Sequence, residues 1–218
     1  MFEGVIFDLD GTLLDSLEDI ANAANEVLRE LGKDALPIDR YRVLVGDGVG
    51  VLMERILPNA ADDAEFRLEC MHRFEHHYQL HWNKRSKPYD GIDNLLNSLV
   101  QSGMALAVFS NKPDAFTKKC VEHFFPQVPF FSVLGQSNRF PKKPDPSGGL
   151  WIASQMGVAI DRIAYVGDTN TDMKTAVGAG FFAIGVAWGF RTRQELESSG
   201  ARVVYNDPSA LLAGLLQR

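Results

Sequence analysis

From Pro88 onward the chain alternates short apolar runs with longer amphipathic stretches, and this alternation restricts the fold more than any other feature of the 218 residues. Strands that take turns with helices need right-handed crossovers, which build a parallel sheet covered by helices. Strands are expected at Met104 to Phe109, Phe130 to Leu134, Ile163 to Val166 and Phe181 to Val186. Helices are expected at Ile92 to Gln101, from near Pro113, at Ser147 to Met156 with Gly157 as its stop, and up to Gly178 to Gly180. Thr192 with Glu195 has the form of a capping box, and Asp207-Pro208 opens a last helix with a cap residue and a proline in its first turn.

The preceding stretch breaks this pattern. Ser16 opens an amphipathic run with Leu17, Ile20, Ala24, Val27, Leu28 and Leu31 at helical spacing and Gly32 as its stop. Val49, Leu52, Met53 and Ile56 fit a second helix closed by Pro58, and Asp62 to Trp82 reads as a third, more polar one. No convincing strand lies between Gly32 and about Arg85. The expected fold class is therefore α/β: a doubly wound parallel sheet core from residues 1–14 and 88–218, with an inserted all-helical cap at 15–87. Hinges are expected near Leu13 to Ser16 and Lys84 to Asp90.

The chemistry enters at strand ends. Val5, Ile6 and Phe7 suit a strand buried on both faces, so Asp8 and Asp10 fall at its carboxyl end, where open α/β sheets place their ligands. Unpaired carboxylates near a sheet core are costly, and a hard divalent cation bound through oxygens keeps them ionised. Alone, Asp8-Leu9-Asp10-Gly11 could equally cap a turn. A second strand ends in Phe109-Ser110-Asn111, a lysine occurs in Lys142-Lys143-Pro144-Asp145-Pro146, and a third strand ends in Val166-Gly167-Asp168-Thr169-Asn170-Thr171-Asp172. Judged singly, Ser110 reads as a helix cap, Lys143 as a solvated lysine, and Asp168 and Asp172 as turn and cap residues. Their joint occurrence in one order is hard to obtain by accident.

Together these segments resemble the four signature motifs of the haloacid dehalogenase superfamily, over nearly the whole chain, and specifically its phosphoglycolate phosphatase-like branch with a helical cap. The resemblance implies a Mg²⁺-dependent phosphatase acting on a small phosphomonoester. A phosphate monoester is doubly charged near neutral pH, and an attacking carboxylate meets repulsion of about 4 kcal/mol per charge pair at a separation of about 4 Å and an effective dielectric near 20. The resemblance implies that Asp8, the Asp10 backbone carbonyl and Asp168 hold Mg²⁺, with Lys143 adding positive charge. Asp8 is then the nucleophile that forms an aspartyl-phosphate, and Asp10 the acid and base. Ser110 and Lys143 complete the catalytic set. Ser110, Lys143, backbone amides including that of Asn111, and secondarily Thr12 contact the phosphoryl group. Asp172 orients Asp168, Lys143 or a metal-bound water.

A sugar phosphomutase of the β-phosphoglucomutase type shares both acids and a helical cap and is the enzyme alternative. A dehalogenase or a phosphonate hydrolase fits less well, because those branches lack an acid at the position of Asp10. The non-enzyme alternative is a phosphoacceptor signalling domain, which also combines an aspartate cluster, Mg²⁺, a hydroxyl residue and a lysine. Such a domain needs neither the helical insertion nor a leaving-group acid two positions after its phosphorylated aspartate.

Composition narrows the partners. A formal net charge of -6 argues against a nucleic-acid binder, since Lys and Arg do not cluster to overcome it. No run reaches membrane-spanning length, and Cys70 and Cys120 have no metal-like spacing, so a cytoplasmic protein with reduced thiols, either a monomer or a homodimer, is expected. His72 with His76 and His77 with His81 have the spacing of a two-histidine metal clip, but no third ligand is evident and a solvated face is favoured. Gly46-Asp47-Gly48-Val49-Gly50 does not fit a nucleotide loop and resembles a cap loop, with the Arg42 to Gly50 region expected to select substrate. Tyr89-Asp90-Gly91 stands where this branch more often has Tyr-Pro-Gly, which weakens the specific substrate assignment.

Overall fold

A computed structural model of the chain describes residues 1–217, which form two compact units, 1–14 with 88–217 and Asp15–Lys87. The first is built on a six-stranded parallel sheet of β1 (Gly4–Phe7), β2 (Ala105–Pro113), β3 (Ser132–Gln136), β4 (Ile163–Gly167), β5 (Phe182–Val186) and β6 (Val203–Tyr205). Its spatial order is β3-β2-β1-β4-β5-β6. The chain runs outward from β1 to β3, then returns to the other side of β1 and runs outward to β6. This reversal creates a switch point beside β1, at the carboxyl ends of its neighbours. Register brings those ends level, because Phe7 pairs with Val108 on one side and Val166 on the other. Val5, Ile6 and Phe7 are fully buried, as a strand covered on both faces requires.

The second unit is helical: α1 (Leu17–Glu30), α2 (Tyr41–Leu44), α3 (Val49–Ile56), α4 (Asn59–Asp62) and α5 (Ala64–His81). Helix α1 packs on α5, and Ala24, Val27 and Leu28 of its apolar stripe are buried. Asp63 starts α5 by accepting hydrogen bonds from the Glu65 and Phe66 amides. The sequence predicts one helix from Asp62, whereas Asp62 closes α4 and Asp63 caps α5. Helices α2 and α4 are four residues each, too short to leave a periodic pattern. Asp19 is buried and accepts from the Arg85 and Ser86 amides and the Ser86 hydroxyl. His77 lies 2.7 Å from Glu30 and holds that carboxyl below its usual range, while His72, His76 and His81 are exposed.

The remaining helices cover the sheet: α6 (Ile92–Gln101), α7 (Asp114–Phe124), α8 (Ser147–Met156), α9 (Asn170–Ala179), α10 (Arg193–Ser198) and α11 (Pro208–Leu216). The core joins Ile6, Phe109, Ile152, Tyr165, Met173 and Phe181. Two differences from the sequence expectation matter. Strand β2 continues four residues past Phe109 to Pro113, with a register shift against β3 between those residues. Strand β6 has three residues, too few to show alternation. Among the described residues no helix is long and apolar enough to cross a membrane, and Cys70 and Cys120 are buried thiols outside any disulfide.

Candidate active site

Four side chains from separate segments meet beside the β1 switch point. Asp8 follows β1, Asp168 follows β4, Asp172 lies in the first turn of α9, and Lys143 sits in the loop between β3 and α8. Oxygens of Asp8, Asp168 and Asp172 lie within 4.8 Å of one another, and all three residues are buried. Lys143, also buried, donates to Asp172 Oδ1 at 2.6 Å and lies 2.9 Å from Asp8 Oδ1. That second separation is an ion-pair distance without hydrogen-bond alignment, so Asp8 Oδ1 remains a buried oxygen with no hydrogen-bond partner.

Burial first, and the crowding of like charges second, set the titration behaviour. Burial, then the neighbouring Asp172, push the Asp8 carboxyl up to about 7, against the pull of Lys143. Burial followed by Asp172 and Asp8 hold Asp168 well above the usual carboxyl range, although the Phe190 amide and Thr12 hydroxyl oppose the shift. Burial opposes the charge on Lys143, but Asp172 and Asp8 prevail and hold its ammonium well above the ordinary lysine value. Replacing Lys143 with Met should therefore strand buried carboxylates, costing about 3–5 kcal/mol of unfolding free energy in urea titrations of the metal-free protein at pH 8.

Other residues hold the acids in place. Thr12 Oγ1 donates to Asp168 Oδ1 at 2.9 Å and the Phe190 amide donates to Oδ2 at 2.8 Å. The Thr12 hydroxyl is thus engaged with Asp168, whereas the sequence expectation placed it on the phosphoryl group. Asp172 accepts from the Thr169 amide and hydroxyl, and its own amide donates back to Thr169 Oγ1, a reciprocal cap that fixes its carboxylate at the start of α9. Its other oxygen accepts from the Lys143 ammonium. Asn111 uses its side chain: Nδ2 donates to the Lys143 carbonyl at 3.1 Å, and Oδ1 accepts from the Lys143 amide at 2.8 Å. The Ser110 hydroxyl oxygen accepts from the Lys112 amide at 3.3 Å, which leaves its proton to be donated elsewhere.

Lys112 and Gly189 were not singled out from sequence. Lys112 Nζ lies 3.0 Å from both oxygens of the Asp10 carboxylate. Gly189 lets the backbone pass against Asp168: a Cβ there would lie 2.3 Å from the Asp168 Cβ and 2.4 Å from the Gly11 carbonyl oxygen. Gly189→Ala should destabilise the protein by about 1–3 kcal/mol through this overpacking, read as a lower thermal unfolding midpoint, and should weaken divalent-cation binding in titration calorimetry. Only its Gly neighbourhood in Trp188-Gly189-Phe190 hinted at a close approach.

The donor set fits a hard divalent cation. Asp8, Asp10, Asp168 and Asp172 face Lys112 and Lys143, an excess of two negative charges when all are ionised. Asp8 Oδ1, which accepts no hydrogen bond, is an oxygen donor of the kind Mg²⁺ prefers.

Comparison with known proteins agrees with this geometry. The sequence model of the haloacid dehalogenase-like hydrolases matches residues 5–186. The chain is 32% identical over 218 residues to a phosphoglycolate phosphatase of Vibrio cholerae, covering 97% of this chain and 96% of that protein. It is 33% identical to a phosphoglycolate phosphatase of Rhodospirillum rubrum, covering 97% and 90% respectively. A candidate phosphoglycolate phosphatase from Lactobacillus delbrueckii superposes with a TM-score of 0.92 at 28% identity, covering 98% of both chains. With its motifs at the carboxyl ends of adjacent parallel strands and a match over most of its length, this chain belongs to the haloacid dehalogenase-like hydrolases.

Proposed function

We propose that this protein is a Mg²⁺-dependent phosphatase that hydrolyses a small phosphomonoester of the phosphoglycolate type through an aspartyl-phosphate on Asp8. The observation that carries this reading is the convergence of Asp8, Asp168 and Lys143 on one buried point, with Asp8 Oδ1 lacking a hydrogen-bond partner. The names of the full-length relatives support the substrate class.

In the first half-reaction an oxygen of Asp8 forms a bond to phosphorus as the bond to the substrate alcohol breaks, and Asp10 gives its proton to the departing oxygen. In the second, Asp10 takes a proton from water as that water attacks the phosphorus of the aspartyl-phosphate, releasing phosphate and restoring Asp8. Ser110 donates its hydroxyl proton to a phosphoryl oxygen, and Lys143 offsets the negative charge of the phosphoryl group. Thr12 and the Phe190 amide keep Asp168 oriented, while Asp172 and the Asn111 side chain hold Lys143 by its ammonium and its backbone. Mg²⁺, held by Asp8, Asp168 and the Asp10 carbonyl, supplies charge neutralisation between two anions that otherwise repel. A cytoplasmic setting suits the two reduced, buried cysteines.

The test is phosphate release with Mg²⁺ across phosphoglycolate, sugar phosphates, nucleotides and pyrophosphate, run beside an isomerisation assay on sugar phosphates. Phosphoglycolate should be the preferred ester, and Asp10→Asn should lower its turnover by about 10²–10⁴-fold. Isomerisation without phosphate release would instead identify a phosphomutase, and unchanged turnover in Asp10→Asn would remove the acid-base role.

A further inference from the structure

Lys112 is a buried cation outside the motif assignments. Its side chain is 4% exposed and the Asp10 carboxylate 16% exposed. A lysine at this depth requires a partner, and the ammonium lies 3.0 Å from each oxygen of Asp10. A single nitrogen equidistant from both oxygens tethers the carboxylate without engaging one oxygen in preference to the other. Residues Ser110 to Lys112 lie where β2 loses register with β3, so three consecutive buried side chains are available to one strand end. The Ser110 hydroxyl oxygen accepts from the Lys112 amide, Asn111 grips the Lys143 backbone, and Lys112 reaches Asp10. The Lys112 carbonyl accepts from Thr117 Oγ1 at 3.0 Å, which anchors its backbone against α7.

We propose that Lys112 is the positioning residue of Asp10, holding its carboxyl where the leaving-group oxygen is protonated and the attacking water deprotonated. The proposal rests on the acid-base role of Asp10 stated above. While Asp10 carries its proton, one oxygen stays on the Lys112 ammonium and the other bears the hydrogen. As Asp8 bonds to phosphorus, the electrons of the breaking P–O bond go to the alcohol oxygen, which receives that proton. Asp10 is then a carboxylate gripped through both oxygens, and Lys112 keeps its own protons throughout. Lys112 therefore acts on the step that needs an acid and not on phosphate binding.

Leaving-group chemistry separates this role from a structural one. p-Nitrophenyl phosphate releases a weakly basic phenolate that needs no proton, whereas phosphoglycolate releases a strongly basic alkoxide. The value of kcat/KM reports events up to the departure of the alcohol, so it isolates the first half-reaction. Lys112→Met should lower kcat/KM for phosphoglycolate by about 10–100-fold, part of what a general acid supplies, and lower that for p-nitrophenyl phosphate far less. Lys112→Arg should recover most of the loss, and Lys112→Met should add little in an Asp10→Asn background. Equal losses on both esters, no loss on either, or full additivity with Asp10→Asn would overturn the proposal. If Lys112→Met does not fold, Lys112→Gln and Lys112→Arg are judged by the same ratio of the two esters. If wild-type protein hydrolyses neither ester, the phosphoglycolate-type phosphatase reading falls; if Asp10→Asn itself fails to discriminate between them, the acid role of Asp10 falls and the Lys112 role with it; discrimination by Asp10→Asn but not by Lys112 variants removes the Lys112 role alone.

Discussion

Asp8→Asn should reduce turnover of phosphomonoesters by about 10⁴-fold or more, because the amide cannot attack phosphorus and no other oxygen nucleophile replaces it. The same substitution should raise the unfolding midpoint of the metal-free protein at pH 8 by a few degrees, at about 2–4 °C per kcal/mol for a chain of this size. These opposite effects have one cause. Asp8 is buried beside Asp172, and its ionised form is disfavoured strongly enough to push its carboxyl up to about 7. Removing that charge relieves the cluster, while Lys143 retains its hydrogen bond to Asp172. Steady-state phosphate release and thermal denaturation measure the two sides. Mass spectrometry of wild-type protein quenched during turnover should find phosphate on the peptide containing Asp8, and its absence together with substantial activity in Asp8→Asn would contradict the nucleophile assignment.

Chelation of divalent cations should abolish turnover, and Mg²⁺ should restore it while stabilising the fold more strongly at pH 8 than at pH 5.5. The sign follows from the raised carboxyls. Asp8 titrates at about 7 in the folded metal-free chain against an ordinary 3.8, and Asp168 is also displaced upward, both chiefly by burial. Stability from the protonated Asp8 is complete below the ordinary carboxyl value and is lost as pH rises through about 7, and the upward shift of Asp168 acts in the same direction. Metal-free protein should therefore unfold at a lower temperature at pH 8 than at pH 5.5. Cation binding needs the ionised carboxylates and releases their protons, so its stabilisation grows across the same interval. At a concentration about 100 times the dissociation constant it should contribute about 2.7 kcal/mol, which corresponds to about 5–10 °C. Thermal unfolding with and without Mg²⁺ at the two pH values tests the sign, and an equal or smaller shift at pH 8 would contradict it.

Long elements were the most legible part of the sequence. The helices Ile92–Gln101 and Ser147–Met156 lie where periodicity and the glycine stops Gly103 and Gly157 put them. Strand β6, with three residues, and helices α2 and α4, with four each, carry too few positions for any period to emerge. Thr192 does cap α10 by accepting from the Glu195 amide. The fuller reciprocal cap, formed by Thr169 and Asp172, lies inside a segment already singled out for other reasons.

Sequence by itself determined the class of sheet and the acidic strand ends Asp8, Asp10 and Asp168, because strand, turn and ligand chemistry are written in consecutive residues. Tertiary structure decided which neighbour serves which acid. Lys112 meets Asp10 across 102 residues, Asn111 meets the Lys143 backbone across 32, and the Phe190 amide meets Asp168 across 22. Such pairings depend on strand register, on the irregular end of β2 and on the space left by Gly189, none of which leaves a period in the chain. Local pattern therefore names the reactive groups, and only the packed fold sets the charges and hydrogen bonds that surround them.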